Sequence, residues 1–170
     1  MIINDGNGIG DSIEQRTIKA QEIKCWRCWE YMTHKHWAQR YAFADDPKRK
    51  LTNLHKVLCS VVYTSFLWVP NSIVTVREDY GLSDSLNGIH AYKARKGTDE
   101  WHCPWSDMTK TYPLVVGTVE IWGDVIEHER GYRATYARIT SLDEVIFNHE
   151  QNDEILKEAQ ELYGVGFNDA

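Results

Sequence analysis

The sequence predicts an α+β fold: a twisted antiparallel, partly barrel-like sheet with a C-terminal amphipathic helix. Three observations predict it. Apolar and aromatic residues alternate with period two over Ile18–Met32 and on both sides of Arg130-Gly131, the pattern of paired strands. A stripe at helical spacing, Ile155, Leu156, Ala159, Leu162 and Tyr163, follows near the C-terminus. The strands come first and the surest helix last, an order that suits an α+β layer arrangement rather than alternating βα units. No period of 20–50 residues repeats, which excludes a solenoid.

Residues 1–17 read as a flexible N-terminal tail, rich at its start in Gly, Asn and Asp, and 18–170 as a single α+β domain. In the first strand Ile23, Cys25, Arg27, Trp29 and Tyr31 take one face and Lys24, Trp26, Cys28, Glu30 and Met32 the other. Aromatics on both faces predict that both are covered. His34–Ala44 is an aromatic segment of open type, and Asp45-Asp46-Pro47-Lys48 is a turn signal. Val57–Val69 is a long apolar run closed by Pro70-Asn71. Short strands are expected at Ile73–Val76 and Ile89–Tyr92, with loop chemistry over Gly81–Asn87 between them. Lys93–Pro113 is a long polar connection. Leu114–His128 and Tyr132–Ile139 form a hairpin whose Gly131 is expected to supply a positive φ, and Gly123 marks a bulge or a close backbone approach. Ser141-x-x-Glu144 has capping-box spacing and predicts a helical turn. The helix itself is expected over Asp153–Tyr163, with Asp153 and Glu154 at its positive end and Gly164 as the residue that stops it.

The chain has 170 residues, enough to bury a sizeable core as one domain. With 19 basic and 25 acidic residues the net charge is −6, which argues against a general nucleic-acid binder. The one basic cluster, Lys48, Arg49, Lys50 and Lys56, reads as a solvated loop. No apolar run is long enough to span a bilayer and the start has no signal-peptide pattern, so the expectation is a cytoplasmic protein with no membrane partner. Cys25, Cys28, Cys59 and Cys103 are then expected to be free thiols. Cys25-x2-Cys28 has zinc-knuckle spacing, but on a strand the two thiols diverge and no second pair completes the set. His34-x-His36, if extended, puts two imidazoles on one face without a marked third ligand; His102-Cys103 lies in an unplaced loop. No metal and no cofactor are expected.

Gly88-Ile89-His90-Ala91-Tyr92-Lys93, followed by Val116–Ala137 with its Trp122-Gly123-Asp124-Val125-Ile126-Glu127-His128-Glu129-Arg130-Gly131-Tyr132-Arg133-Ala134 core, resembles a family of small uncharacterised bacterial and phage proteins. The shared pattern is G-I-[Y/H]-A-x-K, then V-x-G-x-V-x-x-W-G-x-V-x-E-H-E-x-G-Y-R-A-x-x-A. Trp26-Arg27-Cys28-Trp29, Trp68-Val69-Pro70 and Leu162-Tyr163-Gly164-Val165 match its weaker signals, so that the likeness covers about two thirds of the chain. Relatives carry Cys-x-Cys before the Gly-Ile, where this chain has Ser85-Leu86-Asn87; a metal role there does not transfer. The resemblance implies fold and site, not a reaction.

Seven Trp and nine Tyr supply flat faces with a polar handle, as core residues or as a wet surface. The densest polar group on an ordered element is Glu127–Arg130 with Tyr132-Arg133. One reading is a cross-strand ion pair of Arg133 with Glu127 or Glu129. The other is a binding surface of Trp122, His128, Arg133, His90, Tyr132 and Glu129, in which Trp122 stacks on a planar group while His128 and Arg133 hold an anion. No nucleophile elbow or phosphate loop is present. The first function expected is therefore a non-enzymatic binding module, such as a phage-encoded inhibitor or sponge for a host defence protein or its nucleotide signal. The alternatives are an ADP-ribosyltransferase-like enzyme acting on a nucleotide cofactor, by analogy at Gly88–Ala91, and a structural or homo-oligomerising protein with a Trp interface.

Overall fold

A computed structural model describes residues 9–36, 56–60, 67–75, 82, 88–95, 113–146 and 150–169. Seven strands form one antiparallel sheet: β1 (Ser12–Thr33), β2 (Lys56–Ser60), β3 (Leu67–Trp68), β4 (Val74–Thr75), β5 (Ile89–Tyr92), β6 (Leu114–His128) and β7 (Gly131–Ile146). Among the described residues the helix α1 (Asn152–Tyr163) follows them. The architecture is α+β, as predicted. The strand path is β3-β2-β1-β5-β7-β4, and β6 pairs with both β1 and β7. The sheet thereby curls into a ring: β1 to β6, β6 to β7, β7 to β5, and back to β1 through the single pair Trp26–Tyr92. It is ring-like rather than a closed barrel. The short strands β3 and β4 end the path, and the Val69–Ile73 link between them spans the unclosed side.

The long hairpin organises the rest. β6 and β7 pair from Glu127–Tyr132 to Leu114–Ile146, with bulges that include one across Trp122–Val125. Gly123 carries the left-handed φ of +85° at that bulge. Gly131 does not have a positive φ. Its requirement is space, since a Cβ there would lie 2.3 Å from the Ala91 carbonyl oxygen and 2.6 Å from Ile9 Cγ2. β7 also runs on to Ile146, through the Ser141–Glu144 stretch expected to be a helical turn. Ser141 Oγ donates to Asp143 Oδ2 at 2.6 Å and sits 2.6 Å from Thr118 Oγ1. Its hydroxyl is thus spent on cross-strand bonding rather than on a cap.

β1 begins at Ser12, so residues 12–17, expected to belong to a flexible tail, pair with β6 as far as Ser12–His128. Both faces of its aromatic half are covered. Cys25, Trp29 and Tyr31 enter the main core with Val119, Ile121, Leu58 and Trp68. Cys28 packs on the other side against Leu114 and Val116, and Met32 against Val57 and Leu67. Trp29 meets Trp68 edge to face at 5.4 Å between centroids, one of the favoured aromatic geometries.

α1 packs against β7 through Leu156, Ala159 and Tyr163. The Tyr163 hydroxyl donates to the Trp68 carbonyl and accepts the Leu58 N–H at 2.7 Å, tying the helix to β2 and β3. Gly164, at φ 65°, ends the helix with the N–H groups of Gly164 and Val165 returning to Glu161 and Gln160. The following tail accepts the Leu142 N–H at Gly166.

Candidate functional site

Strand register brings three of the six predicted site residues together. His90 of β5 lies opposite Arg133 of β7, which lies opposite Ile126, two residues from His128 on β6. Arg133 and His128 are not a surface, and His90 is half-buried. Arg133 and His128 are each 5% exposed, covered by the Ile9–Gly10 segment and Leu82. Arg133 Nε donates to His128 Nε2 at 3.1 Å and its Nη1 to the Leu82 carbonyl at 3.2 Å. Since Nε2 accepts, the His128 proton sits on Nδ1, which donates to the Gly10 carbonyl at 2.9 Å. Burial holds the His128 pKa below its ordinary value, with the Arg133 cation adding to the effect and the Gly10 bond opposing it. His90 Nδ1 donates to the Gly88 carbonyl at 3.2 Å, and its buried Nε2 has no hydrogen-bond partner among the described residues. Burial first, then the Arg27 and Arg133 cations, push its pKa down to about 3. Both imidazoles are neutral at pH 7.

Arg27 of β1, not singled out from the sequence, completes this interior network. Its guanidinium donates to the His90 carbonyl and to Ser60 Oγ at 2.7 Å, and lies 4.9 Å over the Trp68 ring. These partners are neutral, and burial lowers its pKa to about 10. The polar cluster read from the sequence as an anion site is therefore a buried clamp. It joins β1, β5, β6 and β7 and leaves a ligand no direct approach to Arg133.

The remaining predicted residues lie elsewhere. Trp122 pairs with Tyr136, three positions along β7 from Arg133, so alternation turns Tyr136 and Arg133 to opposite faces. Glu129 is exposed and pairs at 3.7 Å with Arg130. Tyr132 is half-buried beneath Lys93, whose ammonium is 5.5 Å from the ring centre and 2.7 Å from Glu127. Glu127 thus belongs to Lys93 rather than to Arg133, and that ammonium holds its carboxyl below the usual range.

What remains open to solvent is the β6–β7 ladder on the far side of the Gly123 bulge. Trp122 and Tyr136, both half-buried, stack with 5.8 Å between centroids and 24° between planes. Two residues along, Arg138 forms an ion pair with Glu120, whose side chain is 7% exposed. The buried Glu120 carboxylate thus balances the charge of the half-exposed guanidinium. Arg138 also lines a cavity of about 230 Å³ with Trp68, Val69, Asn71, Ile139 and Val165, at the side where the ring does not close. Sequence reasoning missed this pairing because the bulge shifts the register by one residue between Val125–Ala134 and Trp122–Tyr136. Gly123 was the available signal.

The cysteines diverge as expected, Cys25 into the main core and Cys28 to the opposite face. Cys28 is disulfide-bonded, however, which corrects the expectation of free thiols there; Cys25 and Cys59 are free and buried. His34 and His36 lie in a helical turn rather than an extended segment, with the His36 N–H on Thr33 Oγ1 at 3.1 Å. Among the described residues no three metal-ligating groups cluster, and His102-Cys103 lies outside them. No described helix is long and apolar enough to cross a membrane. No family model, curated protein or solved structure matches the chain.

Proposed function

We propose that this protein is a non-enzymatic binding module whose working surface is the Trp122–Tyr136–Arg138 face of the β6–β7 ladder. The observation that carries this is the half-buried Trp122–Tyr136 stack beside the half-exposed Arg138 guanidinium, whose charge the buried Glu120 balances. Such a surface offers a flat aromatic platform and charge-assisted donors, which suits a partner presenting a planar group next to negative charge. A nucleotide signal or an aromatic-rich loop on a host defence protein has that chemistry, in keeping with the resemblance to phage and bacterial proteins. The enzymatic alternative at Gly88–Ala91 has less support, because the half-buried His90 bonds the Gly88 carbonyl through Nδ1 and its Nε2 is buried. Two free buried thiols suit a cytoplasmic setting, whereas a Cys28 disulfide suits an oxidising one. The test is native mass spectrometry of protein taken from its own cells, on wild type, Trp122→Ala and Tyr136→Ala. A retained partner lost in both variants, with melting temperatures unchanged within about 2 °C, supports the surface. A partner retained equally by all three refutes it.

A further inference from the structure

The N-terminal half of β1 leaves one edge of the sheet open. From Ser12 to Ile18 it pairs with β6 alone among the described residues, because β5 reaches β1 only at Trp26 and β2 only at Trp29–Thr33. Ser12–Thr17 are all exposed, Ile13 at 59%. A row of backbone N–H and C=O groups on this stretch points away from β6, the template on which a further strand can be added. The open edge is bounded at both ends. Register shifts fall between Ser12 and Glu14 and between Ile18 and Ile23, and Gln21 holds a φ of 73° within the second.

We propose that this edge pairs antiparallel with the same edge of a second copy of the chain, about a two-fold axis at Gln15. The charge pattern selects the partner and the register. In an antiparallel pair related by a two-fold axis normal to the sheet, one residue faces itself. An axis at Glu14 sets two carboxylates opposite each other, and an axis at Arg16 sets two guanidinium groups opposite each other; like charges so placed repel. An axis at Gln15 sets each Glu14 opposite the partner's Arg16, twice over, with Ile13 opposite the partner's Thr17. Within one strand Glu14 and Arg16 already meet at 3.1 Å, so the four side chains close a neutral square. At the axis the two Gln15 carboxamides meet, and each can both donate and accept. Exposed ion pairs add little attraction, so the charges fix the register while the backbone ladder holds the copies together. The paired stretch is short and each chain carries a net charge of −6, so a weak dimer is expected, with a Kd between about 10 µM and 1 mM. The contact does not rest on the Trp122–Tyr136 platform.

Sedimentation velocity on the full chain at low ionic strength, from about 10 µM to about 2 mM, reads the equilibrium. The wild type should dimerise over this range. Glu14→Arg and Arg16→Glu each place like charges opposite one another and should weaken the dimer by about ten-fold or more. The two changes combined restore opposite charges and should bring the Kd back to within about three-fold of the wild type. Both positions are exposed, so melting temperatures should stay within about 2 °C. Gln15→Cys should link two copies by an interchain disulfide on mild oxidation. Ala20→Cys, exposed on β1 but far from its symmetry mate in this register, should not. The proposal is overturned if the wild type is monomeric at about 2 mM, if both single variants dimerise as the wild type does, if the combined variant stays as weak as the single ones, or if Gln15→Cys links no faster than Ala20→Cys. A dimer lost in Trp122→Ala but kept in the Glu14 and Arg16 variants assigns the contact to the aromatic platform and likewise overturns it.

Discussion

Replacing Arg133 with alanine separates a buried clamp from a binding residue. At an exposed site the substitution would change stability by no more than about 0.5 kcal/mol and act on binding alone. In this structure Arg133 is 5% exposed and satisfies two buried acceptors, His128 Nε2 and the Leu82 carbonyl. Each acceptor left without a donor costs about 1–3 kcal/mol, which gives roughly 2–6 kcal/mol for the pair before any loss of aliphatic packing. Entry of water would relieve part of this, so roughly 2–4 kcal/mol is expected. For a chain of this size each kcal/mol moves the melting temperature by about 2–4 °C, so the shift should be on the order of 4–16 °C. Urea unfolding followed by tryptophan fluorescence measures the free energy, and binding per folded molecule should be retained. A variant that keeps wild-type stability but loses its partner would refute the clamp and restore Arg133 to the binding surface.

Three further outcomes follow from the same geometry. His128 and His90 are neutral in the fold with depressed pKa values, so below about 6.5 the unfolded chain binds protons that the folded chain does not. Stability should be fully present above that pH and fall as pH drops through it, by up to about 1.4 kcal/mol per pH unit per histidine; His90→Gln should flatten the slope in a urea series from pH 7 to pH 5. Gly131→Ala places a methyl 2.3 Å from the Ala91 oxygen and should destabilise by about 1–3 kcal/mol; adding Ile9→Ala should not rescue it, because the backbone clash stays. Thiol titration of unfolded protein, kept oxidised, should find Cys28 unreactive until a reductant is added, whereas Cys25 and Cys59 react at once.

The hairpin and α1 were legible in the sequence because their signals are local. The alternation around Arg130-Gly131 and the stripe ending at Gly164 correspond to β6, β7 and α1 to within a few residues, apart from the extension of β7. The start of β1 was not legible: Glu14 and Arg16 are exposed charges, and only their pairing with β6 makes that stretch a strand. The Ser141 motif misled because a hydroxyl three residues before a glutamate serves a strand bulge as readily as a helix end. The polar cluster was found but misplaced. Whether Arg133 faces water is settled by Ile9, Gly10 and Leu82, which are remote in sequence; the His128–Gly10 bond alone spans 118 positions. Arg27 stood in an alternating aromatic strand, where nothing local tells a buried guanidinium from an exposed one.

The pairing of β1 with β6 also fixes an order of events during synthesis. Thr17 and Asp124, which hydrogen-bond across these strands, are 107 positions apart. At roughly 5–20 residues per second, on the order of 5–20 s elapse between translation of β1 and of the strand that accepts it. Throughout that interval Trp26, Trp29 and Tyr31 belong to a strand whose longest edge has no mate. The β6–β7 hairpin, by contrast, closes through a two-residue turn and can zip within microseconds of leaving the ribosome. β1 therefore docks onto a template made after it, and a ribosome stalled before Leu114 presents an aromatic, unpaired strand of the kind that chaperones bind and aggregates recruit.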